Sequence, residues 1–166
     1  MADTLSLPRF SLGVGDRFGH QGAAQLRAVR CAQDHGVEVA PVWNKSNREH
    51  QIIGTTPGDT LSAASRAVAD AGYGGAWFVD ADHINLTSVE GFIESSNFFT
   101  LDVSESIGAA VPAERIEAFC ADAKQYAGTL SIGRGEIAVR EEDIRTCAQT
   151  FLGAVEQAAA CYRFIE

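Results

Sequence analysis

The sharpest group of chemically active side chains is Asp80-Ala81-Asp82-His83, which directly follows the apolar run 76–79. Residues two apart on an extended segment face the same side, so Asp80 and Asp82 can converge on one point. Two carboxylates beside an imidazole form an oxygen and nitrogen donor set that suits zinc, manganese or nickel. The spacing predicts either a metal or acid–base site, or a capping and salt-bridge cluster at a strand end.

The polar segment 44–50 carries donors that suit an anionic, hydroxyl-rich ligand. Lys45 supplies a point charge, and Arg48 supplies a planar fork that binds a carboxylate through two hydrogen bonds. Lys45 is also a candidate Schiff-base nucleophile if it is desolvated beside a strand. The structural alternative is a solvated loop whose charges bond one another. We interpret the segment as the exit loop of the second strand.

A glycine-rich segment, residues 13–19, contains Asp16 and Arg17. Its third glycine comes one residue too late for the dinucleotide motif G-x-G-x-x-G, and the segment lacks the G-K-[ST] of a phosphate-binding loop. We interpret these glycines as turn residues, with Asp16 and Arg17 projecting into a site as the alternative. Asp102, at the end of the fourth apolar run, is interpreted either as a site residue or as a turn cap.

The elements that position these groups alternate between apolar strands and helical stretches. Strands are predicted at 10–14, 37–43, 76–79 and 98–103, and helices at 21–35, 61–71, 112–127 and 141–165. The capping-box spacing of Thr87 and Glu90 predicts a further, short helix. The apolar runs 130–132 and 137–139 predict a hairpin. This order indicates an α/β fold with a mainly parallel sheet. The polar groups then fall at the carboxyl ends of strands, where such sheets bind ligands.

Length and charge limit the class of protein. The 166 residues fit a single α/β domain over 1–166. The net charge of −9, from 13 basic and 22 acidic residues, disfavours nucleic acid and anionic membranes as partners. No signal-peptide pattern or membrane span is recognisable, and the four cysteines form no C-x-x-C pair. We therefore expect a cytoplasmic protein with free thiols.

Together, five stretches of the chain resemble the tagaturonate epimerase family of hexuronate catabolism. They are Phe10–Phe18, Pro41–His50, Phe78–Leu86, Gly91–Glu94 and Phe98–Val103. The resemblance implies an isomerase on a barrel-like α/β scaffold that interconverts tagaturonate and fructuronate with a divalent metal (Mn, Zn or Ni). The two sugar acids differ at C4, which is not adjacent to the C2 ketone, so retro-aldol cleavage and re-addition are implied rather than simple enolisation.

The resemblance covers the motifs, and residue type suggests the individual roles within them. Asp82 and His83 are the expected metal ligands, Asp80 is the acid–base group, and Lys45 is the second catalytic candidate. The substrate-binding candidates are Asp16, Arg17, Asn44, Arg48 and Asp102. The expected small-molecule partner is a sugar acid.

A complete (β/α)₈ barrel needs about 250 residues, whereas this sequence predicts about four strand–helix units, a small hairpin and a long C-terminal helix. We therefore expect a partial TIM-barrel-like fold, a fragment of a longer barrel. Its exposed flank favours a homo-oligomer, and the isolated chain is expected to lack turnover. Two alternatives remain: a class II aldolase-like or sugar-isomerase metalloenzyme, and a non-catalytic sugar-acid or metal-binding domain on an open flavodoxin-like sheet.

Overall fold

The computed structural model describes residues 6–166. The sequence predicts one domain over 1–166, and the contacts between residues group the chain into two compact units, Met1–Leu101 and Asp102–Glu166.

The first unit is a parallel sheet with helical connections. Its elements are β1 (Ser11–Gly15), α1 (Gly22–Asp34), β2 (Ala40–Ser46), α2 (Asn47–Ile53), α3 (Pro57–Ala71), β3 (Phe78–Ile84), a 3₁₀ helix (Val89–Ser95) and β4 (Phe98–Leu101). The strands lie in the order β1-β2-β3-β4, and all three neighbouring pairs are parallel. This confirms the predicted α/β fold with a parallel sheet.

The register of the sheet decides which side chains share a face. Asn44 pairs with Gly15 on one side and with Asp80 on the other, and Ser46 pairs with Asp82. Paired residues of parallel strands project to the same side, and successive residues project to opposite sides. Asn44, Asp80 and Asp82 therefore share one face of the sheet.

The opposite face packs against helices. Leu26 of α1, Trp43 of β2, Ala64 of α3 and Val79 of β3 form one buried cluster. The Trp43 indole N–H donates to the side-chain oxygen of Gln25 over 3.0 Å, which satisfies the polar atom that burial would otherwise isolate. Burial of each large apolar side chain contributes about 1.5–3 kcal/mol, so this cluster anchors α1 and α3 to the sheet.

The predicted exit loop at 44–50 is wrong. β2 continues through Ser46, and α2 begins at Asn47. Ser46 caps this helix: its hydroxyl accepts from the Glu49 N–H over 3.3 Å, and its own N–H donates to the Glu49 carboxylate over 3.1 Å. This reciprocal capping box starts a helix immediately after the strand.

Two other helix starts also differ from the prediction. The Thr87–Glu90 spacing does not cap a helix, because the Thr87 hydroxyl donates to Asn85 Oδ1 over 2.7 Å and the 3₁₀ helix begins at Val89 without a side-chain cap. Conversely, α3 begins at Pro57, before the predicted residue 61. There the N–H of Thr56 donates to Asp59 over 2.7 Å, which stabilises the first turn.

The second unit contains helices and a hairpin. Its elements are a 3₁₀ helix (Ser104–Ser106), α4 (Ala113–Ala123), a 3₁₀ helix (Lys124–Tyr126), β5 (Gly128–Ser131), β6 (Glu136–Val139) and α5 (Glu141–Ile165). β5 and β6 pair antiparallel, which confirms the predicted hairpin, and α5 confirms the long C-terminal helix.

Charged contacts organise the helices of the second unit. Arg145 of α5 donates to both carboxylate oxygens of Glu117 of α4, over 2.7 and 2.9 Å. At the start of α5, hydrogen bonds from Arg140 lower the pKa of Asp143 to about 2. Within residues 6–166, α5 included, no helix combines the length and the hydropathy needed to cross a membrane.

Candidate functional site

The candidate site lies on one face of the sheet, within β2, β3 and β4. We call it the Asp80 face, and it comprises Asn44, Asp80, Asp82 and Thr100, with Gly15 beside Asn44. The parallel strands place these polar groups at one edge, as sequence reasoning predicted for Asn44, Asp80 and Asp82.

Asp80 is the buried carboxylate of this face. Only 6% of the residue is exposed. The Thr100 hydroxyl donates to Asp80 Oδ2 over 2.8 Å, while Oδ1 is buried without a hydrogen-bond partner within the described residues. Burial raises the pKa of Asp80 above its ordinary value, and the nearby Asp82 carboxylate adds to this; the Thr100 hydrogen bond and His83 oppose it only in part. Asp80 is therefore suited to hold and release a proton.

Thr100 is the site residue that sequence reasoning missed. It lies two residues after Phe98, which pairs with Asp80 in the β3–β4 register. The available signal was the two-residue period of a strand, which places alternate residues of β4 on the same face. A lone threonine carries no chemical motif, so only the pairing register identifies it.

The Asn44 side chain lies against Gly15 of β1. A Cβ at Gly15 would lie 3.4 Å from Asn44 Oδ1, within van der Waals contact. Asn44 Oδ1 is buried and has no hydrogen-bond partner among residues 6–166. Buried polar atoms are normally paired, so an unpaired amide oxygen and an unpaired carboxylate oxygen on two residues that pair across β2 and β3 favour a site that binds a polar ligand.

Asp82 and His83 form a pair at the end of β3. The Nδ1–H of His83 donates to Asp82 Oδ1 over 2.7 Å. The His83 side chain is 65% exposed, whereas that of Asp82 is 13% exposed. His83 has a left-handed backbone with φ of 54°, where the β3–β4 register shifts between Ala81 and Ile84. This bulge turns the imidazole outward although the preceding carboxylate stays largely buried.

The donor types on β3 fit a divalent metal. A carboxylate that binds imidazole Nδ1–H is the usual arrangement that orients a metal-binding histidine and leaves Nε2 available. Asp80 Oδ1 adds a buried oxygen that lacks a partner among the described residues. In the part of the chain that the structure describes, however, no three His, Cys, Asp or Glu side chains are grouped to hold a metal by themselves.

Lys45 is placed away from the Asp80 face. It follows Asn44 in β2 and therefore projects to the opposite side of the sheet. It is 3% exposed and lines a small cavity together with Thr60 and Ala63 of α3. The structure therefore separates the two predicted catalytic residues, Asp80 and Lys45.

Arg17, Arg48 and Asp16 occupy the loops and helix starts beyond β1 and β2. Arg17 Nε donates to Glu49 Oε1 over 3.3 Å, and Arg48 is exposed on α2. Burial opposes ionisation of Glu49, but hydrogen bonds from Ser46 and the charge of Arg17 outweigh it and lower the pKa of Glu49.

The Asp16 side chain accepts hydrogen bonds from backbone N–H groups nearby in the chain. Its Oδ1 accepts from the N–H of Gly19 over 3.1 Å, and its Oδ2 accepts from the N–H of Gln21. The carboxylate therefore fixes the loop between β1 and α1. Asp102 belongs to the second unit, where its Oδ1 accepts from the N–H of Ser104 over 3.0 Å.

The fold and the Asp80 face define an α/β protein with acidic and amide groups at the carboxyl edge of a parallel sheet, a usual ligand-binding position. The sequence profile of the tagaturonate epimerase (UxaE) family matches residues 3–166, and the chain belongs to this family. A search of curated proteins finds no match.

Solved structures of a fructuronate-tagaturonate epimerase from Cohnella laeviribosi share the fold. The form with one glycerol bound superposes with a TM-score of 0.75 at 20% sequence identity, and the native form with a TM-score of 0.73 at 20% identity. Each match covers 93% of this chain and 34% of the matched chain. The chain thus spans about a third of the length of these structures, and it corresponds to part of their fold.

Proposed function

We propose that this chain contributes the Asp80 part of the active site of an epimerase that interconverts tagaturonate and fructuronate at C4. Membership of the tagaturonate epimerase family supports the reaction class. The main support for the location of the site is the environment of Asp80. This carboxylate is buried, its Oδ2 accepts a hydrogen bond from the Thr100 hydroxyl, and its Oδ1 has no hydrogen-bond partner in the described chain. Its raised pKa suits a group that alternates between its acid and base forms.

The proposed chemistry proceeds through the C3–C4 bond. Asp80 takes the proton of the C4 hydroxyl, the C3–C4 bond breaks, and its electron pair passes into the enediolate formed from C2 and C3 while C4 becomes an aldehyde. The aldehyde fragment rotates, and C3 of the enediolate then attacks the opposite face of the C4 carbonyl, which reforms the C3–C4 bond with inverted configuration at C4. Asp80 then returns the proton to the C4 oxygen, so that proton and electrons balance.

Asn44 and Asp82 support this proposal through their positions. The unpaired amide oxygen of Asn44 is an acceptor for a sugar hydroxyl on the same face as Asp80. Asp82 and His83 are the proposed metal ligands, together with groups outside the described residues. When bound, a divalent metal would supply Lewis-acid stabilisation of the ketone oxygen.

Product analysis tests the reaction. The chain is incubated with fructuronate and Mn²⁺, products are followed by NMR, and fructuronate binding is measured by calorimetry in the same samples. We expect binding by the wild-type chain and its loss in Asp80→Asn. The matched control Asp70→Asn removes an exposed carboxylate of α3 and should bind normally.

Each outcome of this experiment discriminates between functions. Conversion to the C4 epimer supports the proposal directly, and Asp80-dependent binding supports the assignment of the site. Cleaved fragments would identify an aldolase-like enzyme instead. Fructuronate binding with the same dissociation constant in Asp80→Asn and wild type would place binding elsewhere and contradict the role of Asp80.

A further inference from the structure

A small cavity lies on the helix side of the sheet, behind the Asp80 face. It has a volume of about 20 Å³, enough for one water-sized group. The ends of β1 and β2, the loop before α1 and the first turns of α3 surround it. Its lining includes Asp16, Gly19, Trp43, Asn44, Lys45 and Thr60.

Lys45 supplies the positive charge in this cavity. The residue is 97% buried, and its Nζ lies 3.9 Å from the position that a Cβ on Gly19 would take, at the cavity wall. No group of residues 6–166 makes a hydrogen bond or an ion pair with this ammonium; Asp59 and His50 interact with it only through longer-range charge. The side chain is almost entirely buried and its ammonium has no acceptor among these residues, which is costly, so the site favours a group that accepts its N–H donors.

The neighbouring acceptors are already used. Both carboxylate oxygens of Asp16 accept backbone N–H groups of their own loop. The carboxylate of Asp59 accepts from the N–H and the hydroxyl of Thr56. Neither carboxylate forms an ion pair with Lys45, although both lie in the same part of the first unit.

Thr60 adds an independent observation. Its hydroxyl is buried and has no hydrogen-bond partner within the described chain, and the residue lines the same cavity. A hydroxyl donates one hydrogen bond, as the ammonium donates three. Two kinds of donor without acceptors thus line one space that holds a single oxygen-sized group.

We propose that this cavity binds one oxygen of a small carboxylate, held by Lys45 Nζ and Thr60 Oγ1. The remainder of such a ligand lies toward the open side of the cavity. The cavity adjoins the Asp80 face at Asn44, which belongs to both, but Lys45 and Thr60 lie on the helix side of β2. The proposal does not depend on the proposed epimerase reaction.

Fluorescence of Trp43 tests the proposal, because this indole lines the cavity while being only 4% exposed. Experiments use a Trp77→Phe background, which leaves Trp43 as the sole tryptophan of the 166 residues. Iodide serves as an anionic quencher and acrylamide as a neutral one. We expect saturable quenching by iodide, weak quenching by acrylamide, and displacement of iodide by formate.

Substitutions of Lys45 and Thr60 test whether these two donors bind the anion. Lys45→Met, which keeps the length of the side chain, should raise the apparent Kd for iodide at least tenfold, and Thr60→Val should raise it several-fold. Arg66→Met removes an exposed cation of α3 and serves as the control for net charge. Equal iodide quenching in Lys45→Met and wild type would overturn the proposal, as would failure of formate to displace iodide. Circular dichroism establishes that each variant is folded.

Discussion

Replacement of Asp80 by Asn should stabilise the first unit at neutral pH. The wild-type carboxylate is buried and leaves Oδ1 unpaired within the described residues, whereas Asn keeps an oxygen for the Thr100 hydroxyl and carries no charge. The Asn NH₂ group takes the place of Oδ1 and is no better paired, so the gain comes from removal of the buried charge, whose extra cost over a neutral group is about 1–3 kcal/mol. At roughly 3 °C per kcal/mol for a chain of this size, Tm should rise by about 3–9 °C.

The pH dependence follows from the direction of the pKa shift. Because the folded pKa of Asp80 is raised, the folded state binds a proton more readily than the unfolded state. The wild-type chain is therefore penalised at pH values above the folded pKa, and the penalty disappears as pH falls through that pKa to the unfolded one. The advantage of Asp80→Asn should accordingly grow as pH rises from 3 to 7.

Thermal unfolding by circular dichroism across this pH range is the assay, with Asp70→Asn as the exposed control. The control should change stability by no more than about 0.5 kcal/mol. A loss of stability in Asp80→Asn at pH 7 would mean that Asp80 is a structural hydrogen-bond acceptor. An advantage that is independent of pH would refute the argument that burial of its charge is the cause.

Three further predictions concern the ligands and the assembly. Asp82→Asn should lower Mn²⁺ affinity about tenfold or more, because the carboxylate either binds the ion or orients His83; an unchanged calorimetric titration would exclude both roles. Arg48→Lys should weaken uronate binding through loss of the two-pronged contact, and equal dissociation constants would reject that role. β1 and β4 are the edges of the sheet, so we expect self-association, and a concentration-independent monomer mass in light scattering would contradict it.

The sequence predicted the positions of the strands more reliably than the side of the sheet from which each site residue projects. Apolar runs located the four parallel strands because both faces of such a sheet are covered. The end of β2 was misplaced, because Asn44, Lys45 and Ser46 are polar yet continue the strand through pairing with β3. A loop leaves side-chain direction undefined, whereas a strand alternates it, so the separation of Lys45 from Asp80 followed only from the register.

The same long-range pairing explains why the environment of Asp80 was only partly predictable. The two-residue spacing of Asp80 and Asp82 predicted their common face correctly. Thr100 lies twenty residues along the chain from Asp80, and no local pattern links the two. The outward turn of His83 likewise depends on a register shift between strands.

The left-handed backbone of His83 also bears on how the role of its imidazole should be probed. Most residues with a Cβ adopt this conformation at an energetic cost, whereas Asn and Asp accept it more readily. Exchange to Ala therefore combines two losses, one of the ring and one of conformational fit in the bulge. Asn tolerates the left-handed backbone conformation, so His83→Asn measures the effect of losing the imidazole ring alone.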